Sequence, residues 1–357
     1  MTPVPHPRER RRRVRLPVKH IPSTGERVTE REITHPVDLC LPSGRLNPEA
    51  VGWTRTALHR TGLPGWGRNK RFEYWSVVTP TAIISLSISH HDYRANVSVS
   101  YVDRSTYAEI RQGGNTWLPG AGGLGSATSE EPMEARRRDV LVRMTPHGTG
   151  TVLHAASARI RVDLTITGGP EHESMGVVVP WSARAFQYTK KDNGLRAQGV
   201  VVVEGLSHRV EANESTAVHD RGRGRWPYFT LWNWGSGYGQ DSLGRWVGLQ
   251  FGGKWTDGTP STENWIRIDG RLHKISSHLA WNYDPARWLE RWSLTGPGVD
   301  VVFVPEHHLQ HLFDRWVVKS RSDTCYGHYT GRITLDTGEV VTFANVFGHV
   351  EEVERRW

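Results

Sequence analysis

The alternation of apolar and polar residues with a period of two is the feature that most limits how this chain can fold. In TAIISLSIS, Ile84, Leu86 and Ile88 alternate with serines, and the same spacing returns in NVSVSYV and in RIRVDLTIT. Successive side chains of a strand point to opposite faces, so this period is typical of half-buried antiparallel strands. The pattern predicts an all-β protein.

Short turns, and not crossover helices, separate these runs. The Asp269-Gly270 pair in WIRIDGRLHKI and the turn around Gly338 in ITLDTGEVVTF are hairpin signals, and HHDYRAN forms a turn between two alternating runs. We count about six to eight strands in each half of the chain, which argues against a parallel α/β sheet. The length of 357 residues suits two antiparallel barrels or sandwich-like sheets in tandem, over 25–185 and 186–357, with few short helices.

A Gly-, Ser- and Pro-rich excursion interrupts the first half at 113–137. It predicts a long loop, which in a compact domain is commonly a lid or a disordered insert, and both remain open.

The net charge of +8 is concentrated in the arginine run RERRRRVR at 8–15. Such a run predicts a disordered basic tail over 1–24, with at most non-specific contact to nucleic acid or anionic lipid. No apolar segment has signal-peptide or transmembrane character. Cys40 and Cys325 lack metal-ligand spacing, so we expect a reduced, cytoplasmic protein.

The aromatic-rich stretch HDRGRGRWPYFTLWNWGSGYG, residues 219–239, is the strongest candidate for a functional segment. We expect a Gly-rich turn with Asp220 at a strand mouth, then a strand YFTLWNW buried on both faces, then a second turn. Nine of the sixteen tryptophans lie between Trp226 and Trp292. The segment is therefore a core strand, the wall of a pocket or a platform for sugars.

A carboxyl group in an aromatic cavity suits acid chemistry, because burial raises its pKa and keeps it protonated. Asp220 is the first candidate, although Arg221 beside it favours the ionised form. Glu73 in RNKRFEYW begins a strand and is the second. The histidines of PEHHLQH fit a polar turn better than a metal site. We predict neither a metal nor a cofactor.

Three blocks carry a family resemblance, and they span nearly the whole chain beyond the tail. They are ITHPVDLCLPSGRLNPEAVGWTRTALHRTGLPGWGRNKRFEYW, the 219–239 stretch and the closing EEVERRW. Together they resemble the bacterial and fungal family called domain of unknown function 2804. The Asp-Arg and Asn-Trp-Gly elements are more distantly similar to a signature of the carotenoid hydratase and tocopherol cyclase relatives, although an insertion separates them here. That likeness implies two lipocalin-like barrels in tandem and acid chemistry on hydrophobic isoprenoid substrates.

These observations predict a protein that binds a hydrophobic, isoprenoid- or polyketide-like molecule in an aromatic cavity of its second half. Acid-catalysed hydration, cyclisation or isomerisation is one outcome; a carrier without chemistry is the first alternative. A carbohydrate-active protein with tryptophan platforms and two carboxylates, Asp220 with Glu73 or Asp241, is the second. The predicted catalytic residues are Asp220 and Glu73. The predicted ligand-binding residues are Arg221, Tyr228, Trp232, Asn233, Trp234 and Tyr238.

Overall fold

The computed structural model describes residues 27–116, 132–169, 171–315 and 318–356. The predicted basic tail, 1–24, and the middle of the predicted glycine-rich loop, 117–131, lie outside these residues. Within the described part, the chain is almost entirely β-structure, with one 3-10 helix at Pro48–Ala50. No helix in these ranges is long and apolar enough to cross a lipid bilayer.

The first part of the chain forms a two-stranded parallel pair, β1 with β3, and a thirteen-stranded sheet. The strands are β1 (Val37–Asp38), β2 (Trp53–Thr54), β3 (His59–Arg60), β4 (Lys70–Val78), β5 (Ala82–His91), β6 (Arg94–Asp103), β7 (Glu109–Thr116), β8 (Met133–Arg137), β9 (Val140–His147), β10 (Gly150–Ala156), β11 (Ile160–Thr167), β12 (Met175–Pro180), β13 (Phe186–Val203), β14 (Leu206–Val210) and β15 (Thr216–Arg225).

The main path of the first sheet runs β7-β6-β5-β4-β15-β13-β11-β10-β9-β8, and every pair along it is antiparallel. Strands β6 and β7 at one edge lie against β8 and β9 at the other. The sheet therefore curls into a nearly closed barrel.

The second part forms one nine-stranded antiparallel sheet that curls into a half-barrel. Its path is β19-β18-β17-β16-β24-β23-β22-β21-β20. The strands are β16 (Phe229–Gln240), β17 (Trp246–Gly253), β18 (Trp265–Ile268), β19 (Arg271–Lys274), β20 (Ala280–Asn282), β21 (Trp292–Gly296), β22 (Val299–Arg315), β23 (Val318–Thr334) and β24 (Val340–Arg356). The predicted all-β fold of two curled antiparallel sheets is confirmed.

Each sheet buries its own apolar core on its inner face. In the first sheet, the alternating Ile84, Leu86 and Ile88 of β5 pack with Val97 and Val99 of β6 and with apolar residues of β9 to β11. The second sheet has a separate core built from β17, β18 and β21 to β24. The period-two pattern therefore identified the apolar face of these strands correctly.

The division expected after residue 185 does not coincide with the boundary between the sheets. Strand β13 begins at Phe186 but pairs with β11, β12, β14 and β15, so these strands complete the first sheet. The change from one sheet to the other lies between Arg225 and Phe229. The loop expected at 113–137 is also shorter, because β7 extends to Thr116 and β8 begins at Met133.

Four local expectations are wrong. HDRGRGR is no turn but the body of β15, and GSGYG belongs to β16. Their glycines make room for neighbouring side chains: a Cβ at Gly222 would overlap Phe72 and Gln187. PEHHLQH lies within β22. The aromatic strand is not buried on both faces throughout, since Tyr228, just before it, is 52% exposed.

Candidate functional site

A cavity of about 1050 Å³ lies between the two sheets. The first sheet contributes the polar faces of β4, β5 and β6, and the second contributes β16 and β22 to β24. On β5 the lining residues are Ser85, Ser87 and Ser89, the polar members of the alternating pattern. The face opposite the core therefore forms a cavity wall, and the cavity belongs to both halves of the chain and not to the second alone.

Strand register brings Asp220 beside Lys191 at one level of this cavity. Lys191 on β13 pairs with Asp220 on β15, which pairs in turn with Tyr74 on β4. Lys191 Nζ donates a hydrogen bond of 2.8 Å to Asp220 Oδ2, and Thr189 Oγ1 donates one of 3.1 Å to Oδ1. Both carboxylate oxygens of Asp220 thus have partners.

Glu263, from the segment between β17 and β18, is the second carboxyl at this level. Its Oε2 lies 3.7 Å from Lys191 Nζ, and its Oε1 accepts a hydrogen bond of 2.5 Å from Trp255 Nε1. Oε2 has no hydrogen-bond partner among the described residues. We call Asp220, Lys191 and Glu263, which all line the cavity, the acid cluster.

The acid cluster combines groups with different protonation states. Burial raises the pKa of Glu263 to about 7, although the Lys191 ammonium opposes this rise. Burial alone would lower the pKa of Lys191, but attraction to Asp220 and Glu263 raises it above its ordinary value. Near neutral pH, Lys191 is therefore charged, and a large fraction of Glu263 carries a proton that Oε2 can donate.

Trp234 of β16 forms the wall facing Lys191. The ammonium lies 4.1 Å from the centroid of the indole ring, and the indole Nε1 donates to Gln250 Oε1 at 2.9 Å. Tyr74 and His349 pack edge-on to the ring at centroid distances of 5.9 and 4.6 Å. The ring therefore helps to fix the position of the Lys191 ammonium.

Glu351 of β24 lies opposite Trp234 in the register of the second sheet. Its Oε1 accepts a hydrogen bond of 3.0 Å from Trp232 Nε1. Burial raises the pKa of Glu351, with Trp232 and Lys191 acting in the other direction. The cavity thus holds a second carboxyl that binds its proton more tightly than usual.

Four of the sequence-predicted site residues line the cavity, namely Asp220, Trp232, Trp234 and Tyr238. Tyr238 stacks on Trp246 at a centroid distance of 5.3 Å. Tyr228 is exposed, and Asn233 points the other way, where its amide donates to Tyr283 Oη and to the Glu351 carbonyl at 3.1 Å each. Asn233 is therefore a structural residue on the far face of β16.

Glu73 and Arg221 also lie on faces turned away from the cavity. Glu73 accepts a hydrogen bond of 2.6 Å from His219 Nε2, and its Oε1 lies 3.1 Å from Arg221 Nε and 2.9 Å from Arg223 Nη2. Burial alone would raise the pKa of Glu73, but these cations and the bond from His219 lower it to about 2. Glu73 is thus ionised and fully paired, unlike a proton donor.

Asp241, the other predicted partner of Asp220, forms an ion pair with Arg245 and accepts from backbone amides of its own turn. Neither predicted carboxylate pair, Asp220 with Glu73 or Asp220 with Asp241, therefore shares the cavity. Asp220 shares the cavity instead with Glu263 of the acid cluster and with Glu351.

The sequence interpretation missed Lys191, Glu263 and Glu351. Lys191 had a signal, because Gln187, Thr189 and Lys191 alternate with larger residues in FQYTKKD. Glu263 lies outside any strand, and only the fold brings it to the cavity. The described residues contain no group of three or more His, Cys, Asp or Glu side chains arranged to hold a metal ion.

The chain is similar to one protein family and to solved structures. The family model described as "Domain of unknown function (DUF2804)" matches residues 30–357. A Nitrosomonas europaea structure provisionally assigned as AttH is 12% identical, with a TM-score of 0.48 over 80% of this chain and 92% of that one. Kievitone hydratase from Nectria haematococca is 11% identical, with a TM-score of 0.45 over 80% and 88%. None of the curated proteins matches the sequence.

Proposed function

This chain belongs to the DUF2804 family, and from that premise we propose that it binds a hydrophobic small molecule between its two sheets and transforms it by acid–base catalysis. The ligand class is an isoprenoid- or polyketide-like molecule with polar substituents. The reaction class is hydration, cyclisation or isomerisation of a carbon–carbon double bond. The difference between the two walls supports this class, since serines of β4, β5 and β6 line one side and tryptophans of β16 lie on the other.

The observation that carries the proposal is the free oxygen of Glu263 inside the cavity. A carboxyl with a pKa of about 7 is protonated often enough to donate and acidic enough to donate readily. Its Oε2 is the buried atom without a hydrogen-bond partner among the described residues, so its proton is not already shared with another acceptor. Trp255 fixes the other oxygen.

In a hydration, Glu263 donates its proton to one carbon of the double bond, and water forms a bond to the other carbon. Asp220, whose Oδ2 accepts a hydrogen bond from Lys191, accepts the proton that this water loses. The net change is addition of one water molecule. Lys191 contacts both carboxyls, so the proton can return from Asp220 to Glu263 along the acid cluster.

A carbohydrate-active protein is the second candidate, since Asp220 and Glu263 are two carboxyls near the same ammonium. The indole faces argue for the first candidate. A sugar platform needs an open ring face, but an ammonium lies over Trp234 and another lies 3.0 Å from the centroid of Trp226.

The test begins with protein purified from its own host and native mass spectrometry for a retained ligand. The extracted ligand is then incubated with ligand-free wild type, Glu263→Gln and Asp220→Asn. We expect a product heavier by one water, or an isomer of equal mass. Glu263→Gln should bind the ligand with similar affinity and lose at least about 100-fold in kcat, the usual contribution of a general acid.

The matched control is Glu211→Gln, which changes an exposed glutamate in the connection between β14 and β15. It should retain wild-type turnover. Unchanged turnover in Glu263→Gln would contradict the acid role, whereas binding without any product in wild type would identify a carrier. Turnover of aryl glycosides in place of the extracted ligand would favour the second candidate.

A further inference from the structure

One end of the cavity is lined by cationic side chains. We call this set the cationic end, and its members are Lys70, Arg94 and Arg355. Lys70 Nζ and Arg355 Cζ lie 5.8 and 5.2 Å from the ring centroid of Trp232. The two cations therefore approach the same indole from the two sheets.

Within the cationic end, Arg355 has a positive charge that no carboxylate among the described residues pairs with directly. None of their carboxylates lies within ion-pairing distance of its guanidinium, and none of their atoms accepts a hydrogen bond from its Nε. An arginine is a rigid fork of five donors and stays charged when buried. A buried guanidinium Nε without an acceptor is costly, so this arrangement indicates that a bound ligand supplies the missing acceptor.

The electrostatics of the neighbouring groups agree with this geometry. Burial lowers the pKa of Lys70 well below its ordinary value, and Arg355 and Arg94 lower it further against the attraction of Asp220. Burial also lowers the pKa of Arg355 to about 10, with Glu351 opposing and Arg94 adding to the decrease. The cationic end is thus a place of positive potential that an anion would relieve.

We propose that the cationic end binds an anionic group of the ligand, a carboxylate or a phosphate, with Arg355 as the principal contact. This inference rests on the proposed function, because it assigns a head group to the molecule that the cavity binds. Arg355 offers the paired donors that match two oxygens of such a group. Lys70 adds a further nitrogen donor from the first sheet.

The strand register gives the length of such a ligand. Glu351 and Arg355 share a face of β24 four residues apart, which corresponds to about 13 Å, and Tyr74 and Lys70 are related in the same way on β4. The acid cluster lies at the level of Tyr74 and Glu351. The anionic group therefore lies about 13 Å from the reacting atoms, with an apolar chain or ring system between them along Trp232 and Trp234.

The test is isothermal titration of the purified full chain with dodecanoate, dodecyl phosphate and dodecanol, which share an apolar chain and differ in the head group. Wild type should bind at least one of the anions about tenfold or more tightly than the alcohol, as expected for a charge-assisted hydrogen bond. The tighter of the two anions distinguishes a carboxylate head group from a phosphate.

Arg355→Gln should reduce this preference for the anion to less than about threefold, because the variant lacks the charge-assisted hydrogen bond. Its affinity for dodecanol should be unchanged. Arg355→Lys should retain part of the preference. The matched control is Arg356→Gln, one residue further on the exposed face of β24, where the arginine pairs with Glu354. It should keep the full preference.

Equal affinity of wild type for dodecanol and both anions would overturn the anion site and leave the proposed function standing. A preference that survives in folded Arg355→Gln would do the same. Binding of none of the three probes would contradict the ligand class, and both proposals would fail. Circular dichroism of each variant establishes that it is folded.

Discussion

The carboxyl groups of Glu73 and Glu263 are both buried, yet their neighbours give them opposite chemistry. Glu73 accepts from His219 and pairs with Arg221 and Arg223, and its pKa falls to about 2. Glu263 lies near the Lys191 ammonium, but burial has the larger effect and raises its pKa to about 7. The side chains that the fold brings next to a buried acid decide whether it stabilises the fold or serves as a proton donor.

Glu73→Gln should lower the free energy of unfolding by about 3 to 5 kcal/mol, because it leaves buried arginines without their counter-charge. The folded-state pKa lies below the ordinary value of 4.5, so the stabilisation is present at neutral pH and is lost as the pH falls from about 4.5 through about 2. Urea denaturation across this range measures it. Glu134→Gln, in a half-exposed pair with Arg143, is the control and should cost less than about 1 kcal/mol. An equally small effect at Glu73 would contradict the structural role.

Glu263→Gln should stabilise the protein in alkaline solution. The folded-state pKa of about 7 lies above the ordinary value of 4.5, so the folded protein binds more protons than the unfolded chain between these values. The stability of wild type therefore falls as the pH rises from about 4.5 to about 7, by roughly 3 kcal/mol at 1.4 kcal/mol per pKa unit.

Gln cannot ionise, so the variant should lack this decrease and be more stable than wild type at pH about 8 by most of that amount. At pH about 4 the two should be alike. Thermal unfolding at both pH values tests the difference. A variant less stable than wild type at the higher pH would show that Glu263 is ionised and well paired in the folded state.

At the scale of elements, alternation predicted the strands well and glycine predicted the turns poorly. The Asp269-Gly270 hairpin and the turn after His91 are confirmed, since β18 and β19, and β5 and β6, pair directly around them. In β15, however, Gly222 and Gly224 lie opposite bulky neighbours and give them room. A single sequence does not distinguish a glycine in a strand from a glycine in a turn, because the difference depends on residues from distant strands.

The same limit applies to the candidate site. Trp232, Trp234 and Asp220 were found because they belong to one conspicuous stretch of sequence. The acid cluster forms from three segments, β13, β15 and the connection from β17 to β18, and the register between them is a property of the whole sheet. Glu73 and Asp220 share the pairing of β4 with β15, but they are offset by one residue and so point to opposite faces.

Gly252 on β17 should be needed for the position of Glu263. A Cβ at this position would overlap the Glu263 carboxyl group, so Gly252→Ala should displace that carboxyl and weaken its bond from Trp255. The side chain is flexible enough to move, so the fold should persist while turnover falls by about 10-fold or more, a part of the general-acid contribution.

Gly62→Ala is the control, because a Cβ there would meet no atom within 4 Å. Turnover of the extracted ligand and the melting temperature should be measured for both variants. If Gly252→Ala kept full turnover, the present position of Glu263 would not matter for the reaction.

At the scale of the whole molecule, the two sheets act together because the site belongs to neither alone. Each sheet has its own core on its inner face, and the opposite faces meet around the cavity. The long hairpin of β22 and β23 reaches the first sheet, where Tyr107 Oη donates to Glu306 at 3.0 Å and His311 bonds to Glu109 at 2.8 Å. These contacts keep the acid cluster and the cationic end in one enclosed space.

Because both sheets line the cavity, a bulky side chain on either wall should block ligand binding. Ser87 on β5 and Thr324 on β23 both line it, so Ser87→Phe and Thr324→Phe should each place a ring in the empty volume. We expect each variant to lower the affinity for dodecanoate at least about tenfold while changing the free energy of unfolding by less than about 1 kcal/mol, since the ring enters open space and not a packed core. Ser207→Phe, at an exposed position of β14, is the matched control. Titration calorimetry measures the affinity, and urea denaturation measures the free energy of unfolding. If only one of the two substitutions weakened binding, the ligand would lie against a single sheet.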